Sequence, residues 1–243
     1  MKWLKVTDRL PSFQEVKDNP IIVVKDQKLT NEELIEFAST LGKVWDDSKF
    51  SGLQQTLYGG GKIENSSVVR IAHDGQLKRG NVPWHVDLSH YPIQTVPNRL
   101  LYSAEENNPT PTIFFNTSEA LKRKPAILET LKKLSAYHSA PYETPWNWPV
   151  KRPLIYKHPW NDYYSFMCPG VFVIEIEGIT KNREESKEWL SDLVEQLWDD
   201  DLVYTHKYEK GDVVVYDNYT LIHRREAFEG SRVLKRVTWE PFV

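Results

Sequence analysis

Short apolar runs separated by turn residues dominate the chain and predict a protein built mainly from strands. The runs are rich in Val, Ile, Leu and Tyr, and pairs such as Gly211-Asp212 and Asp217-Asn218 separate them as turns. The predicted strand segments are 20–24, 202–208, 213–216 and 232–239, with a further strand-rich stretch over 81–115.

Three stretches carry the spacing of amphipathic helices. Thr30 and Glu33 have the spacing of a capping box at the start of the first, which continues to about Leu41. Residues 184–198 are the clearest case, because their apolar residues recur at intervals of three and four. Residues 118–134 predict a short helix, a break at the proline, and then a longer helix.

Many short strands with a few helices between them predict a mainly β protein. We expect an antiparallel double-stranded β-helix, a jelly roll, with helices packed outside it. No parallel β-α-β pattern and no G-x-G-x-x-G motif is evident. The length of 243 residues suits one core, so residues 1–243 are predicted to form a single domain. Four glycines over 52–61, in a polar setting, predict a loop.

Composition and charge narrow the class of protein. The net charge is -3 and no run of Lys or Arg stands out, so no nucleic-acid partner is expected. No stretch approaches the roughly 18 apolar residues of a membrane span, so no membrane partner is expected either. Cys168 is the only cysteine, which excludes an internal disulfide and fits a reducing cytoplasm. A cytoplasmic location is therefore the expectation.

The motif Trp84-His85-Val86-Asp87 is the first candidate for chemistry. On a strand, side chains two residues apart point to the same face, so His85 and Asp87 could both reach one metal ion. His223, near the C-terminus, is the best candidate for a third ligand. Two histidines and one carboxylate leave three coordination positions open, as non-haem Fe(II) oxygenases require. A His-x-Asp motif alone is a weak signal, and a structural hydrogen-bonded pair is the more common explanation.

The segment 232–239 adds a second signal. Its period-2 alternation places four side chains on one face: Arg232, Leu234, Arg236 and Thr238. Two arginines on one strand face are unusual for a core, and a guanidinium matches a carboxylate through two parallel hydrogen bonds. One of them could hold the far carboxylate of a dicarboxylic co-substrate, and Thr112 could add a hydroxyl. A solvated strand face and a strand-prone threonine are the plain alternatives.

Four longer blocks carry a resemblance. They are WHVDLSHYP, LLYSAEENNPTPTIFFNTSEAL, RPLIYKHP and YEKGDVVVYDNYTLIHRREAFEGSRVLKRVTW. Together, and in this order, they resemble the taurine dioxygenase family of Fe(II)/2-oxoglutarate-dependent dioxygenases, which includes dichlorophenoxyacetate dioxygenase. Two positions depart from the family: Thr110-Pro111 stands where Gly-Asp is frequent, and Tyr219 stands where an arginine commonly follows Asp-Asn.

The resemblance implies a cofactor, Fe(II), and a co-substrate, 2-oxoglutarate. The iron ligands it implies are His85, Asp87 and His223. It also implies that Thr112 and Arg232 bind the far carboxylate of 2-oxoglutarate. This assignment goes beyond what the residues alone indicate, because it places the His85-x-Asp87 motif and the face with Arg232 and Arg236 in one binding site.

The resemblance further implies the reaction. A small polar or anionic molecule would be hydroxylated with O₂, and 2-oxoglutarate would leave as succinate and CO₂. Arg236 would face an anionic substrate, and Asn81 would line the substrate pocket. Two alternatives remain: a catalytically inactive jelly-roll binding module with a residual metal site, and a zinc hydrolase, whose usual H-E-x-x-H spacing is absent. The oligomeric state, a homo-oligomer included, is left open.

Overall fold

A computed structural model describes residues 3–46, 63–65, 67–72, 80–90, 97–104, 110–139, 149–166 and 170–241. The glycine-rich loop predicted over 52–61 lies outside these residues. Among the described residues, no helix is long and apolar enough to cross a membrane.

Short strands outnumber helices throughout the described residues. The strands are β1 (Leu4–Thr7), β2 (Ile21–Val24), β3 (Gly42–Val44), β4 (Ile63–Asn65), β5 (Val68–Ala72), β6 (Val82–His85), β7 (Asn98–Tyr102), β8 (Thr112–Asn116), β9 (Ser135–His138), β10 (Val150–Pro153), β11 (Ile155–Lys157), β12 (Tyr164–Phe166), β13 (Val173–Ile176), β14 (Val203–His206), β15 (Val213–Tyr216), β16 (Leu221–Arg225) and β17 (Val233–Pro241). The helices are α1 (Phe13–Asp18), α2 (Asn31–Leu41), α3 (Thr117–Arg123), α4 (Pro125–Leu131), α5 (Arg183–Leu197) and a 3-10 helix (Asp200–Leu202).

Two sheets form the centre of the fold. The large sheet has the order β1-β2-β15-β7-β17-β5-β4, and β3 also pairs with β17. The small sheet has the order β14-β8-β16-β6. Neighbours in both sheets come from distant parts of the chain, so the last strands, β15 to β17, lie at the centre of the fold.

One apolar cluster is shared by the inner faces of the two sheets. Its buried members from these strands are Ile21, Val23, Leu101, Val214, Tyr216 and Leu234 of the large sheet, and Phe114 and Leu221 of the small sheet. Two sheets that pack face to face around a common core are the architecture expected of a double-stranded β-helix. The predicted jelly roll is therefore confirmed.

Helices cover the outer faces of the sheets. The first turn of α2 is closed by a capping box, in which the Thr30 hydroxyl accepts from the Glu33 amide at 3.2 Å and the Glu33 carboxylate accepts from the Thr30 amide at 2.8 Å. Leu34 and Leu41 of α2 pack in the same cluster as Val215, on the outer side of the large sheet. The helix α5 packs its own apolar stripe in a second outer cluster.

The N-terminal segment differs from the antiparallel expectation. β1 pairs with β2 in parallel, with α1 between them, so the chain begins with a β-α-β unit. The expected absence of such a unit was wrong here. β1 has only four residues, and Val6 on it is 58% exposed, so this edge strand lacks the buried apolar run that marks a parallel strand.

Most element boundaries differ from the predictions by one or two residues, and two elements differ more. The helix after Pro125 ends at Leu131 and is no longer than α3, because the chain turns into β9 four residues later. The strand predicted over 202–208 begins at Val203, because the preceding residues close a 3-10 turn, and it ends at His206.

Candidate active site

A cavity lies between the two sheets. Among the described residues that line it are six of the seven predicted site residues: His85, Asp87, Thr112, His223, Arg232 and Arg236. Asn81 is exposed and is not one of these lining residues, although its neighbour Val82 is. Residues separated by up to about 150 positions in sequence therefore lie at one site. Pairing between strands that are distant in sequence brings them together.

Pairing of β6 with β16 brings the two histidines together. His85 and His223 are direct register partners, and their ring centroids lie 4.1 Å apart. Asp87 lies two residues beyond the end of β6, in a turn, so it reaches the site from the turn rather than from the strand itself. One ligand atom from each of the three side chains lies within 4.8 Å of the other two.

The histidines present their Nε2 atoms to Asp87. The Nε2 atom of His85 lies 3.7 Å from Asp87 Oδ1, and that of His223 lies 4.0 Å from Asp87 Oδ2. On the far side of the first ring, His85 Nδ1 makes a 2.9 Å hydrogen bond with the Pro83 carbonyl, which fixes the ring orientation. Burial, together with the neighbouring His85, lowers the pKa of His223 to about 3. The ring is therefore neutral at pH 7, the form that binds metals.

Asp87 is held as a carboxylate in a buried setting. Burial by itself would raise its pKa, but Arg99 and the two site histidines lower the pKa well below the ordinary range of aspartate. The Arg99 guanidinium donates from Nε to Asp87 Oδ2 at 2.8 Å. The Tyr216 hydroxyl lies 3.3 Å from the same oxygen and 3.5 Å from His223 Nε2. Asp87 is thus charged and ready to bind a cation at neutral pH.

The backbone around Asp87 is fixed by a residue 131 positions away. The side-chain oxygen of Asn218 accepts from the Asp87 amide at 3.1 Å, and its Nδ2 donates to the Asp87 carbonyl at 3.1 Å. Leu88, the next residue, has a φ of 62°, a left-handed conformation that is unfavourable for a branched side chain. The amide clamp therefore holds a strained turn that aims the Asp87 carboxylate into the cavity.

A second group of polar side chains, around Thr112, lines the same cavity. Thr112 of β8 bonds through its hydroxyl to the Tyr208 hydroxyl at 2.9 Å. The Arg232 guanidinium carbon lies 5.8 Å from the centre of the Tyr208 ring. Arg232 and Arg236 are both at most 6% exposed, so they present their charges to the interior and not to solvent. Buried guanidinium groups of this kind are suited to bind an anion through charge-assisted hydrogen bonds.

The donor set is chemically suited to one divalent transition metal. Two imidazole nitrogens and one carboxylate oxygen are the ligands of open Fe(II) sites, and their convergence within 4.8 Å places them around one point. The hydroxyl and guanidinium groups at the Thr112 end match the carboxylate of a small acid. The cavity lining therefore carries ligands for a metal and binding groups for a carboxylate.

Four residues with a part in this site escape prediction from the sequence: Arg99, Tyr208, Tyr216 and Asn218. Arg99 carries a usable signal, because it is the one charged residue in the otherwise apolar strand text RLLY of β7. The two tyrosines look like ordinary strand residues, and Asn218 looks like an ordinary turn residue. Only the fold shows that they converge.

Two further histidines are buried at the turn that holds Asp87: His90 is part of this turn, and His138 contacts it through Ser89. His138 Nδ1 lies 3.2 Å from the Ser89 hydroxyl, and the ring of His90 stacks on Phe172 at 4.0 Å. Burial, with the positive charge of Arg152 nearby, lowers the pKa of each histidine to about 3. Both rings are therefore neutral in the folded protein, and they support the active-site turn by packing.

These histidines make the stability pH-dependent. On unfolding each returns to a pKa of about 6.5, so the unfolded chain takes up protons below that pH and the folded chain does not. The contribution of these histidines to the free energy of unfolding is fully present above about pH 6.5. It falls as the pH drops toward 3, by roughly 1.4 kcal/mol per pH unit for each histidine. Urea unfolding of wild type and His138→Gln between pH 7.5 and 5 measures this. The variant is expected to lose less stability per pH unit than wild type; equal slopes would contradict the assignment.

Comparison with known proteins adds independent findings. The family model described as taurine catabolism dioxygenase TauD, TfdA family matches residues 7–238. The (S)-phenoxypropionate/alpha-ketoglutarate-dioxygenase of Sphingobium herbicidovorans is 26% identical over 246 residues, covering 90% of this chain and 80% of the relative. The tyrosine isonitrile desaturase of Erwinia amylovora is 28% identical over 176 residues, covering 64% of this chain and 58% of the relative.

Solved structures agree on the fold. The crystal structure of AAD-2 in complex with Mn(II) and N-oxalylglycine superposes with a TM-score of 0.75 and 20% identity, covering 98% of this chain and 96% of that one. At 20% identity, this structural similarity supports the jelly-roll fold alone.

Proposed function

The chain belongs to the taurine catabolism dioxygenase TauD, TfdA family, and from this premise we propose that His85, Asp87 and His223 hold one Fe(II) ion. The protein is an oxidoreductase of the 2-oxoglutarate-dependent dioxygenase class, as predicted. The observation that carries the site assignment is the convergence of two imidazoles and one carboxylate within 4.8 Å in a cavity that also carries buried arginines.

Bound Fe(II) supplies the redox chemistry, in which decarboxylation of 2-oxoglutarate to succinate and CO₂ accompanies oxidation of a substrate by O₂. The chain's own residues bind and orient 2-oxoglutarate and shield the site from water. Arg232 and Thr112 bind the far carboxylate of 2-oxoglutarate, the first through two parallel hydrogen bonds and the second through its hydroxyl. Tyr208 holds the Thr112 hydroxyl in place from the other side, through the 2.9 Å hydrogen bond. Asp87, His223, Arg232 and Arg236 are each at most 6% exposed, so the fold shields them from bulk water.

The substrate is proposed to be a small anion. Arg236 lies on the same strand face as Arg232, and both line the cavity. Arg236 is a buried cation in the cavity lining, and it would attract the negative charge of an anionic substrate. The Sphingobium herbicidovorans relative is named for phenoxypropionate, a carboxylate, and this supports the same class of substrate. No comparison supports the inactive binding module.

A succinate-release screen tests the function. The protein is supplied with Fe(II), 2-oxoglutarate and O₂, together with aryloxy carboxylates, sulfonates or amino-acid-like carboxylates. At least one anion is expected to raise succinate release well above the substrate-free rate, and its neutral amide to raise it far less. Arg236→Gln is the matched variant, expected to raise KM for the active anion more than KM for 2-oxoglutarate. A protein that binds metal and 2-oxoglutarate but releases no succinate with any compound would favour the binding-module alternative.

A further inference from the structure

Arg99 is a fully buried cation in the middle of the large sheet. Its exposed fraction is 0%, and its strand, β7, is flanked by β15 and β17. Tyr216 and Thr238 are its direct register partners on those strands, so the three side chains form one row on the same face of the sheet. Arg99 Nη1 donates to the Thr238 hydroxyl, which anchors the guanidinium at its outer end.

The guanidinium occupies one of the two oxygens of Asp87. Arg99 Nε donates to Oδ2 at 2.8 Å, and the Tyr216 hydroxyl approaches the same oxygen at 3.3 Å. The other oxygen, Oδ1, is the one nearest His85 Nε2, at 3.7 Å. The two oxygens of Asp87 are therefore unequal. Both lie near a histidine, since Oδ2 is 4.0 Å from His223 Nε2, but only Oδ2 is engaged by Arg99 and Tyr216.

A structural ion pair alone does not account for Arg99. Buried ion pairs are often no more stabilising than apolar residues of similar size, because both charges lose their hydration. Among the described residues, Arg99 Nη2 has no hydrogen-bond partner, so part of this loss is not offset. The pair is nonetheless placed on the one carboxylate that converges with two imidazoles. Its position points to a role in the site.

We infer that Arg99 is a positioning residue that keeps Asp87 a one-oxygen ligand by engaging Oδ2. The inference rests on the proposed function. An octahedral ion held by two imidazoles and one carboxylate oxygen keeps three positions, which a two-point chelating co-substrate and O₂ require. An Asp87 that bound through both oxygens would occupy one of them. Arg99 thus keeps one coordination position open for the co-substrate.

Arg99→Met tests this, with Mn(II) as the metal probe. Calorimetry measures the Kd of Mn(II), and then the Kd of 2-oxoglutarate for the Mn(II)-loaded protein. We expect 2-oxoglutarate to bind about tenfold more weakly or worse, in line with other outer partners of metal ligands. Mn(II) is expected to lose less affinity than 2-oxoglutarate does, because the freed carboxylate can offer both oxygens, although it also loses the cation that favours its ionised form. Arg99→Lys, which keeps a cation and a donor, should recover most of the co-substrate affinity.

Two results would overturn the inference: unchanged 2-oxoglutarate affinity in Arg99→Met, or an equal weakening of both Mn(II) and 2-oxoglutarate. If Arg99→Met does not fold, Thr238→Val serves instead, because it removes only the guanidinium's other anchor. It should show a smaller loss of 2-oxoglutarate affinity with Mn(II) binding retained, and no loss would overturn the inference. Failure of wild-type, Mn(II)-loaded protein to bind 2-oxoglutarate would instead count against the proposed function.

Discussion

Asp87→Ala is expected to reduce succinate formation by more than about 100-fold, since changes even to the outer partners of metal ligands cost 10–100-fold. The variant leaves two neutral imidazoles to hold the ion, and it removes the only carboxylate of the converging set. It also leaves Arg99 buried without its ion-pair partner, and the loss of one partner from a buried pair costs about 3–5 kcal/mol. Fe(II) binding, succinate release and urea unfolding measure the three effects.

Asp212→Ala is the matched control for the stability loss. Asp212 is also fully buried and ion-paired, with Lys25 at 2.7 Å, but it precedes β15, at the opposite end of that strand from Tyr216. It should lose stability and keep metal binding. If Asp87→Ala bound Fe(II) as tightly as wild type, the ligand assignment would be refuted.

Arg232→Leu is expected to raise KM for 2-oxoglutarate by roughly 100-fold. Hydrogen bonds to charged groups contribute about 1.5–3 kcal/mol each, and two parallel ones together correspond to about two factors of ten or more. Leucine fills a similar volume but carries no donor, so the far carboxylate would be left desolvated in a buried pocket. Steady-state succinate release at varied 2-oxoglutarate concentration measures the change.

Two further variants separate the arginines. Arg232→Lys keeps the charge and loses the planar pair of donors, so it should raise KM by only about tenfold. Arg236→Leu should change KM for 2-oxoglutarate much less than Arg232→Leu does. The reverse order, with Arg236→Leu the more damaging to 2-oxoglutarate binding, would show that the two arginines exchange roles.

Local patterns were sufficient wherever local forces decide the structure. The capping box at Thr30, the apolar stripe of α5 and the alternation over 232–239 are all present as predicted. The alternation was the most informative pattern for the site, because a period of two residues on one strand predicts that Arg232 and Arg236 share a face. Placing His223 in the same cavity needed the family resemblance as well, since no local pattern relates positions 138 residues apart.

What escaped prediction depends on strand register between distant segments. Arg99 meets Asp87 only because β7 lies between β15 and β17, and Asn218 clamps the Asp87 backbone only because its turn follows β15. Neither contact has a signature in the residues themselves. The parallel β1–β2 pair was missed for a related reason, since a four-residue, half-exposed edge strand carries too few apolar positions to show its pairing.

We propose that His85, Asp87 and His223 bind one Fe(II) ion, which in turn binds 2-oxoglutarate. Anaerobic titration of the Fe(II)-loaded protein with 2-oxoglutarate tests it most directly. We expect a weak visible metal-to-ligand charge-transfer band that saturates with one 2-oxoglutarate per chain and is absent in Asp87→Ala. Wild-type protein that holds Fe(II) by metal analysis and shows no such band would contradict it.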